Sequence, residues 1–573
     1  MPASTAATLR TTFVPAHRIP PDVTGLPPRL AMRRLWALFT VFAVLWLGTL
    51  DYRKLIKPDE GRYAEIAREM AVSGDWITPR LNGIKYFEKP PLQYWATAAA
   101  YKIFGTHEWT ARLWTALTGL AGVWLAWFTV RRLWGSDAAA TAAMCLASSL
   151  LYFGMGHMNT LDMGLTFFLQ LALCGFLLAN ATAATPDAER RWMLVTWGAL
   201  ALAVLSKGIV ALVLTGGTLV VYSVANRDFS PWRRLHLLLG LPVFFAIAAP
   251  WFIAVSVVNP EFPHFFFIHE HFERFLTPVH RREQAWWYFL PILLLGLLPW
   301  ATLVLRGVWR AWQAELSREF APARLLLVWA VLTFAFFSVS SSKLPSYILP
   351  VLPALAMAGS AQLLRLGTRE LRIHLLLLAL LAGVALVAAP RVAERFDRET
   401  TAAMMQNYAH WLTAAAALFL AATLAALLLT RAARRADAFL ALAAGAFAAG
   451  NAVVLGHEAL AASNSSYYLA REVSPQLQPS TPFYSVQGYD QTLPFYLDRT
   501  LTLVDFRDEM DFGLQQEPQL AVDSVDQFKH LWRSQPGAYA VLGESAYNQL
   551  AADALPMRIV ARDTRRIVVR NPE

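Results

Sequence analysis

Two acidic residues, Asp59 and Asp162, lie where apolar segments of the sequence reach the same predicted face of a membrane. An acid near the start of a helix often does no more than offset the helix dipole, and each residue alone has that alternative reading. An ionisable group that faces the interior of a helical bundle is, by contrast, usually functional. Two carboxylates at one depth therefore predict a site that positions a substrate or takes up a proton.

Basic residues gather on that same face. Lysine is scarce, with eight residues among the 50 basic ones, and the predicted topology places all eight on the external side. For any one of them, a side chain that merely extends to the interface is the alternative. Together they predict a basic pocket suited to phosphate groups, made of Arg62, Lys85, Lys89, Lys207, Arg274 and Lys343.

A metal site is a weaker possibility in the segment "FPHFFFIHEHFERFLTPVHRREQAWWY", which includes His264, His269 and His271. Histidine and carboxylate side chains there could bind a metal such as zinc. The segment lacks a close HxxxH or CxxC spacing, so surface histidines in an aromatic interfacial belt are the alternative. The two cysteines, Cys145 and Cys174, fall inside apolar runs and predict neither a disulfide nor a cysteine-based zinc site.

The composition is that of a polytopic α-helical membrane protein. The 573 residues are 56% hydrophobic and 16% charged, with a mean hydropathy of +0.39. The formal charge of +10 comes mostly from arginines in short loops between apolar runs, which is the positive-inside pattern. We therefore expect membrane lipids, and no nucleic acid, among the partners.

Fourteen apolar runs could cross the membrane, but the arginines fit thirteen crossings. If 92–105 crossed, Arg131 and Arg132 would be external and every later basic loop would lie on the wrong side. An amphipathic helix at 92–105 on the outer surface restores the pattern. The thirteen predicted spans are 35–50, 111–130, 137–154, 160–181, 192–205, 208–224, 237–257, 288–305, 325–341, 347–364, 373–389, 412–430 and 438–456.

This topology divides the chain into three parts. Residues 1–34 are predicted to form a cytoplasmic tail, and 35–456 a transmembrane domain whose first external loop holds interfacial helices. Residues 457–573 are predicted to form a small external α/β domain. Short strand-like pieces such as "TPFYSV" and "RIVVR" alternate there with helical ones such as "VDQFKHLWRS".

Several motifs resemble those of a known family. The stretches "PDEGRYAEIAREM", "YFEKPPLQYW" with the following "GTHEWTARLW", and "SKLPSYILPVLP" are similar to the bacterial aminoarabinose transferases. The likeness covers about residues 35–360. These enzymes are GT-C-fold membrane glycosyltransferases that move 4-amino-4-deoxy-L-arabinose from undecaprenyl phosphate to lipid A. The resemblance implies a donor of that kind, a lipid A acceptor, and a role in resistance to polymyxin and cationic peptides.

The resemblance also assigns residues. It implies that Asp59 and Asp162 are the catalytic acids. It implies phosphate-binding roles for Lys89, Lys207 and Arg274, with Tyr63, Tyr86 and Tyr347 as neighbours, and it makes Glu88 and His269 the candidate ligands of a divalent metal such as zinc. Finally, it implies a bacterial inner-membrane location, with the active site and the C-terminal domain facing the periplasm.

Two other functions remain open from the residues alone. Another polyprenyl-phosphate sugar transferase of the same fold, such as a protein O-mannosyltransferase, would need a base for a neutral hydroxyl acceptor, which Asp59 could supply. A lipid transporter or flippase would carry its ionisable residues at mid-depth and often shows broken, repeated helices. The charges gather at one face, which favours the transferase.

Overall fold

The computed structural model describes residues 28–182, 184–273, 284–314, 320–432 and 434–572. The chain forms two units, 1–48 and 49–573, and the first contains helix α1 (Pro28–Leu47), which begins before the predicted end of the tail. The second unit opens with α2 (Asp59–Ser73), α3 (Leu92–Phe104), α4 (Glu108–Trp134), α5 (Ser136–Ala147), α6 (Leu150–Met155), α7 (Leu161–Ala179), α8 (Pro186–Lys207), α9 (Val210–Asn226), α10 (Ser230–Arg233) and α11 (Leu237–Val258). A π-helical segment, His264–Glu273, follows α11.

The next long helices are Phe289–Gly296, Ala301–Ala314, Pro322–Val339, Val351–Leu363, Thr368–Ala388, Ala402–Arg431 and Arg435–Gly456. Over the described ranges, eight helices are long and apolar enough to cross a membrane. They are Glu108–Trp134, Leu161–Ala179, Leu237–Val258, Pro322–Val339, Pro345–Leu363, Thr368–Glu394, Ala402–Arg431 and Arg435–Asn464. Phe289–Gly296 and Ala301–Gln313 meet at 100° and add a ninth if they are one span.

The predicted count of thirteen spans is therefore not confirmed, although helices occupy the remaining predicted positions. The first span corresponds to a short apolar helix, Ala37–Leu47, and 208–224 to the 17 residues of α9. The span predicted at 137–154 is divided between α5 and α6, because Ser148 and Ser149 interrupt the helix. The span predicted at 192–205 lies within α8. This helix begins earlier, at Pro186, and its first turns carry Asp187, Glu189 and two arginines, so it is more polar than a simple span.

The first external loop is helical, as predicted, but its charged helix is not an exposed interfacial one. In α2, eleven of the 15 residues are buried, including Glu60, Glu65, Arg68 and Glu69. A two-stranded antiparallel hairpin, β1 (Arg80–Leu81) and β2 (Ile84–Lys85), follows α2. The charged pattern of α2 therefore serves buried ion pairs.

A six-stranded sheet near the C-terminus confirms that a small sheet region exists there. Its strands are β3 (Phe483–Val486), β4 (Thr502–Val504), β5 (Ala521–Val522), β6 (Tyr539–Gly543), β7 (Arg558–Arg562) and β8 (Arg566–Arg570), in the order β5-β4-β3-β6-β8-β7. Strands β3 to β6 pair in parallel, whereas β8 is antiparallel to both β6 and β7. The main helices of this region are Leu493–Leu497, Asp511–Gln516, Val525–Ser534 and Glu544–Ala552.

The first loop and this C-terminal region share one hydrophobic core. Ile66 and Met70 of α2 and Ile84 of β2 pack in the same cluster as Leu503 and Met510. Polar contacts cross the same boundary. The Asn82 side chain donates to Leu501 O and accepts from Leu501 N, both at 2.7 Å, and Arg80 forms a bidentate pair with Glu517. Contacts with the C-terminal region therefore fix the first loop in addition to its contacts with the helical bundle.

Glu60 connects three segments of the chain. It is 1% exposed and forms bidentate ion pairs with Arg53, at 2.6 and 3.1 Å, and with Arg112 of α4, at 2.8 and 3.0 Å. It also accepts hydrogen bonds from the backbone N–H groups of Ile56 and Asn159, each at 3.0 Å. Burial alone would raise the pKa of the Glu60 carboxyl, but the charges of Arg112 and Arg53 outweigh it and lower that pKa.

We predict that Glu60→Ala destabilises the fold by about 3–5 kcal/mol, because it leaves two buried guanidinium groups without their carboxylate. The thermal unfolding midpoint of the detergent-solubilised protein measures this. Glu399→Ala is the matched control, since Glu399 is 55% exposed and pairs with Lys57 only at 3.7 Å. Such a surface pair contributes at most about 1 kcal/mol. Equal midpoints for the two variants would contradict the role given to Glu60.

Glu69 is a buried acid of a different kind. One of its oxygens accepts a hydrogen bond from the Gly83 N–H at 2.7 Å, while its Oε1 has no hydrogen-bond partner among the described residues. Burial, followed by the charge of Glu65, raises the pKa of Glu69 from 4.5 to about 8. The folded state therefore favours the protonated form of Glu69.

This pKa predicts a pH-dependent stability. The stability that protonated Glu69 gives the folded state is fully present below pH about 4.5. It declines above that pH, because the unfolded chain loses the Glu69 proton, and it is lost as the pH rises through about 8. The free energy of unfolding of the wild type should fall relative to that of Glu69→Gln across that window, by up to about 1.4 kcal/mol per pH unit, and the unfolding midpoint should fall with it. Glu472→Gln, at an exposed position, should follow the wild type. Parallel profiles for wild type and Glu69→Gln would exclude this linkage.

Candidate functional site

Asp59 and Arg62 form the first part of the site, at the start of α2. Arg62 donates from Nη1 to Asp59 Oδ1 at 2.8 Å, and its Nη2 lies 2.6 Å from Oε2 of Glu509. The Asp59 side chain is 38% exposed, whereas the other two side chains are about 10% and 9% exposed. The guanidinium therefore links an accessible acid to a buried acid contributed by the C-terminal region.

Tyrosines lie beside this ion pair: Tyr63 is half-buried, and Tyr86 and Tyr94 are buried. The Arg62 guanidinium carbon lies 5.9 Å from the centre of the Tyr63 ring, which is 6.1 Å from the ring of Tyr94. Burial raises the pKa of Tyr63 and that of Tyr86, and the nearby charge of Asp59 or Glu88 raises each further. Both phenols thus remain neutral hydrogen-bond donors. Tyr63 lies beside Arg62, and the roles of Tyr63 and Tyr86 in the site stay predictions.

Two lysines of the first loop, Lys85 and Lys89, each have an acidic partner. Lys85 Nζ is 2.7 Å from Glu261, and Lys89 Nζ is 2.9 Å from Glu270 and 3.8 Å from Glu88. Glu261 and Glu270 come from the segment after α11, so they lie far from the lysines in sequence. Arg62, Lys85 and Lys89 of the predicted basic pocket are therefore compensated by carboxylates, and an incoming phosphate would compete with those carboxylates for the cations.

Asp162, Lys207 and Tyr347 form the second part of the site. Asp162 lies in the first turn of α7, and its carboxylate is ion-paired with the ammonium group of Lys207, the last residue of α8. That ammonium group also lies 4.5 Å above the ring of Tyr347. In the turn that precedes Tyr347, the buried Lys343 donates to Ser340 O at 2.7 Å. The sequence predicted each of these residues, and the structure shows which of them are in contact.

The two parts share a rigid connection through Glu60. Because Glu60 follows Asp59 in sequence and holds the backbone N–H of Asn159, it ties the start of α2 to the turn that leads into α7 and Asp162. The side-chain amides of Asn159 and Gln93 lie 2.7 Å apart and extend this connection to α3.

Sequence reasoning missed these connecting residues. The signal for Glu60 is its position directly after Asp59. If the loop is buried, this second acid needs a buried cation as its partner, and Arg112 is such a cation. Glu509 lies more than 400 positions from Arg62, and no local pattern marks it.

Three predicted site residues, Arg274, Glu88 and His269, are assigned to neither part of the site. Arg274 lies outside the described residues. Glu88 and His269, the candidate metal ligands, belong to no group of three or more His, Cys, Asp or Glu side chains that could hold a metal in the described part of the chain. The ring of His269 is stacked against Phe265 at 5.3 Å. Because zinc sites in proteins normally use at least three protein ligands, the metal pair stays a prediction.

The arrangement suits a reaction in which a phosphate group leaves. One part of the site holds an accessible acid, a fixed guanidinium and two phenols, and the other holds an ion-paired lysine whose ammonium group lies over an aromatic ring. Fixed cations of this kind stabilise a leaving phosphate, and the carboxylates can orient a cationic substrate group.

Comparisons with known families cover most of the chain. Residues 31–266 match the model of the dolichyl-phosphate-mannose-protein mannosyltransferase family. Residues 469–571 match the model of the aminoarabinose transferase C-terminal domain. Both the loop that carries Asp59 and the region that carries Glu509 therefore fall within matched segments.

Individual relatives agree with these matches. An undecaprenyl phosphate-alpha-4-amino-4-deoxy-L-arabinose arabinosyl transferase of Aeromonas salmonicida is 34% identical over 390 residues, which are 66% of this chain and 70% of that protein. A Pseudomonas fluorescens protein of the same name is 35% identical over 365 residues, 62% of this chain and 61% of its own length.

A solved structure extends the likeness to nearly the whole chain. The crystal structure of ArnT from Cupriavidus metallidurans bound to undecaprenyl phosphate superimposes with a TM-score of 0.89 and 41% sequence identity. The match covers 94% of this chain and 98% of that one, which confirms the membrane fold predicted from the motifs. Its apo form matches equally well. The chain therefore belongs to the aminoarabinose transferase family of multi-pass membrane glycosyltransferases.

Proposed function

We propose that this protein transfers 4-amino-4-deoxy-L-arabinose from undecaprenyl phosphate to a phosphate group of lipid A. The observation that carries the proposal is the pair of acid–cation contacts, Asp59 with Arg62 and Asp162 with Lys207, on one framework fixed by Glu60. Further support comes from relatives named for this sugar and donor, and from a 41% identical structure described as bound to undecaprenyl phosphate.

The reaction exchanges one bond at the anomeric carbon of the sugar. The bond from that carbon to the donor phosphate oxygen breaks, and undecaprenyl phosphate leaves with the electron pair. A phosphate oxygen of lipid A forms the new bond, so a phosphate monoester becomes a diester. Since that oxygen is already anionic, the enzyme does not need a strong base. Its main task is to hold and neutralise the leaving phosphate.

We assign that task to two of the described lysines, Lys207 and Lys89. The ammonium group of Lys207, at the end of α8, lies over the ring of Tyr347, and Lys89 extends from the first loop toward Glu270. A bound phosphate would take the place of, or lie beside, the carboxylates that now compensate these lysines. Asp59, the accessible acid, then orients the ammonium group of the aminosugar, while Arg62 and Glu509 hold Asp59 in position.

This function implies a definite location. The site lies at the periplasmic face of a bacterial inner membrane, where both lipid substrates present their head groups. The N-terminal tail of about residues 1–34 is cytoplasmic, and residues 457–573 form the periplasmic domain whose Glu509 contacts Arg62. The arginine-rich loops on the opposite face support this orientation.

A second candidate function is transfer of another polyprenyl-phosphate sugar to a protein hydroxyl, as in the protein O-mannosyltransferases. The mannosyltransferase family match over residues 31–266 favours it. The C-terminal match to the aminoarabinose transferase domain favours the lipid A acceptor.

The first test is mass spectrometry of lipid A after incubation with purified protein and the aminoarabinose donor. The wild type should add one aminopentose per modified phosphate. Asp59→Asn should lower the rate about 100-fold, because the carboxylate that orients the sugar amine is lost. Asp51→Asn, at an exposed acid of the same loop, is the matched control and should retain the wild-type rate. Transfer by Asp59→Asn at the wild-type rate would refute the role of Asp59.

The second test concerns the leaving phosphate. Lys207→Met should lower kcat by about 100-fold and weaken binding of undecaprenyl phosphate, since a cation fixed beside the phosphate is removed. Lys102→Met removes an exposed lysine of α3 and should change neither quantity. If Lys207→Met kept both the rate and the affinity for undecaprenyl phosphate, Lys207 would not contact the donor.

A further inference from the structure

A cavity of about 380 Å³ lies at the far end of α4 from the candidate active site. It is lined by Trp127, Phe128, Arg131 and Arg132. Arg112, which holds Glu60, is near the start of the same helix. At 1.5 Å per residue, Arg112 and Arg131 lie about 28 Å apart along the axis, close to the thickness of the hydrocarbon core of a bilayer. This cavity therefore lies at the opposite membrane surface.

Helical spacing places each arginine over an aromatic ring. The Arg131 guanidinium carbon lies 5.1 Å from the ring centre of Trp127, and that of Arg132 lies 4.9 Å from the ring centre of Phe128. Residues four positions apart are neighbours on a helix surface, so the two stacked pairs lie side by side. Stacking uses the flat face of a guanidinium and leaves its in-plane N–H donors available to an acceptor.

These two charges are not compensated by acids. Among the residues that the structure describes, neither Arg131 nor Arg132 has a carboxylate within ion-pair distance. Other arginines among the described residues do, such as Arg306 and Arg310 with Glu370 at 2.9 Å, and Arg434 with Asp437. The last carbonyl groups of α4 provide only the partial negative charge of a helix terminus.

The surroundings of the cavity are aromatic and open toward lipid. Phe128 is stacked on Trp124 at 5.3 Å and lies 5.8 Å from Trp192 of α8. Trp124 is 43% exposed on the surface of a helix long and apolar enough to cross a membrane. Tryptophan at this level is typical of the boundary between head groups and acyl chains.

We propose that this cavity binds the phosphate head group of an anionic phospholipid, such as phosphatidylglycerol. The N–H groups of Arg131 and Arg132 donate to the phosphodiester oxygens, and an acyl chain lies against Trp124 and Phe128. Two adjacent uncompensated guanidinium groups supply the charge complementarity, and the aromatic wall accounts for a lipid rather than a soluble anion. The site is independent of the transfer reaction, since it lies at the other end of α4.

Native mass spectrometry of the full-length protein in detergent, with added phosphatidylglycerol or phosphatidylcholine, tests the proposal. The wild type should retain phosphatidylglycerol in preference to phosphatidylcholine. Arg131→Gln with Arg132→Gln should weaken that binding about tenfold. Arg365→Gln with Arg369→Gln removes two exposed arginines from another helix–helix turn and should leave it unchanged. Equal binding by the two double variants would overturn the proposal.

Two further measurements separate a lipid site from simpler explanations. Trp127→Leu with Phe128→Leu keeps both charges but removes the rings, and it should also weaken phosphatidylglycerol binding. If it does not, the arginines act only as surface charges and the cavity is not a built site. Millimolar inorganic phosphate should fail to displace the lipid. Displacement by phosphate would show a free-anion site instead, and would overturn the assignment to a phospholipid.

Discussion

The buried carboxylate of Glu60, held between Arg53 and Arg112, is the interaction on which the candidate site depends. A single acid buried to 1% exposure would be costly, but two guanidinium groups and two backbone N–H donors fill its acceptor positions. These contacts fix the start of α2, the N-terminal part of α4 and the turn before α7 to one another. The same contacts therefore determine the distance between Asp59 and Asp162.

The site built on this frame is a set of compensated charges rather than an open basic pocket. Lys85, Lys89 and Lys207 each have a carboxylate partner. Compensation avoids the free-energy cost of partly buried, unpaired ammonium groups, and it makes phosphate binding an exchange of one anion for another. The C-terminal region takes part in the same way, because Glu509 is an acidic partner of Arg62.

Much of the site could be predicted from short motifs, but its contacts could not. The first loop identified Asp59, Arg62, Tyr63 and Tyr86, since their types and close spacing are visible in one stretch. Glu261, Glu270 and Glu509 pair with loop residues only after long-range folding, which leaves no periodic signal. The number of membrane spans was the weakest fold prediction. A bend such as the 100° break after Gly296 divides one apolar run into two helices, and the polar first turns of α8 lower the mean hydropathy of that helix.

Transfer to lipid A is best tested by ³¹P NMR of lipid A after incubation with the protein, the aminoarabinose donor and a serine-rich peptide. We expect a lipid A phosphate to change from monoester to diester while the peptide stays unmodified. An unchanged phosphate monoester together with a glycosylated peptide would contradict it, and would assign the same acid–cation framework to transfer onto a neutral hydroxyl.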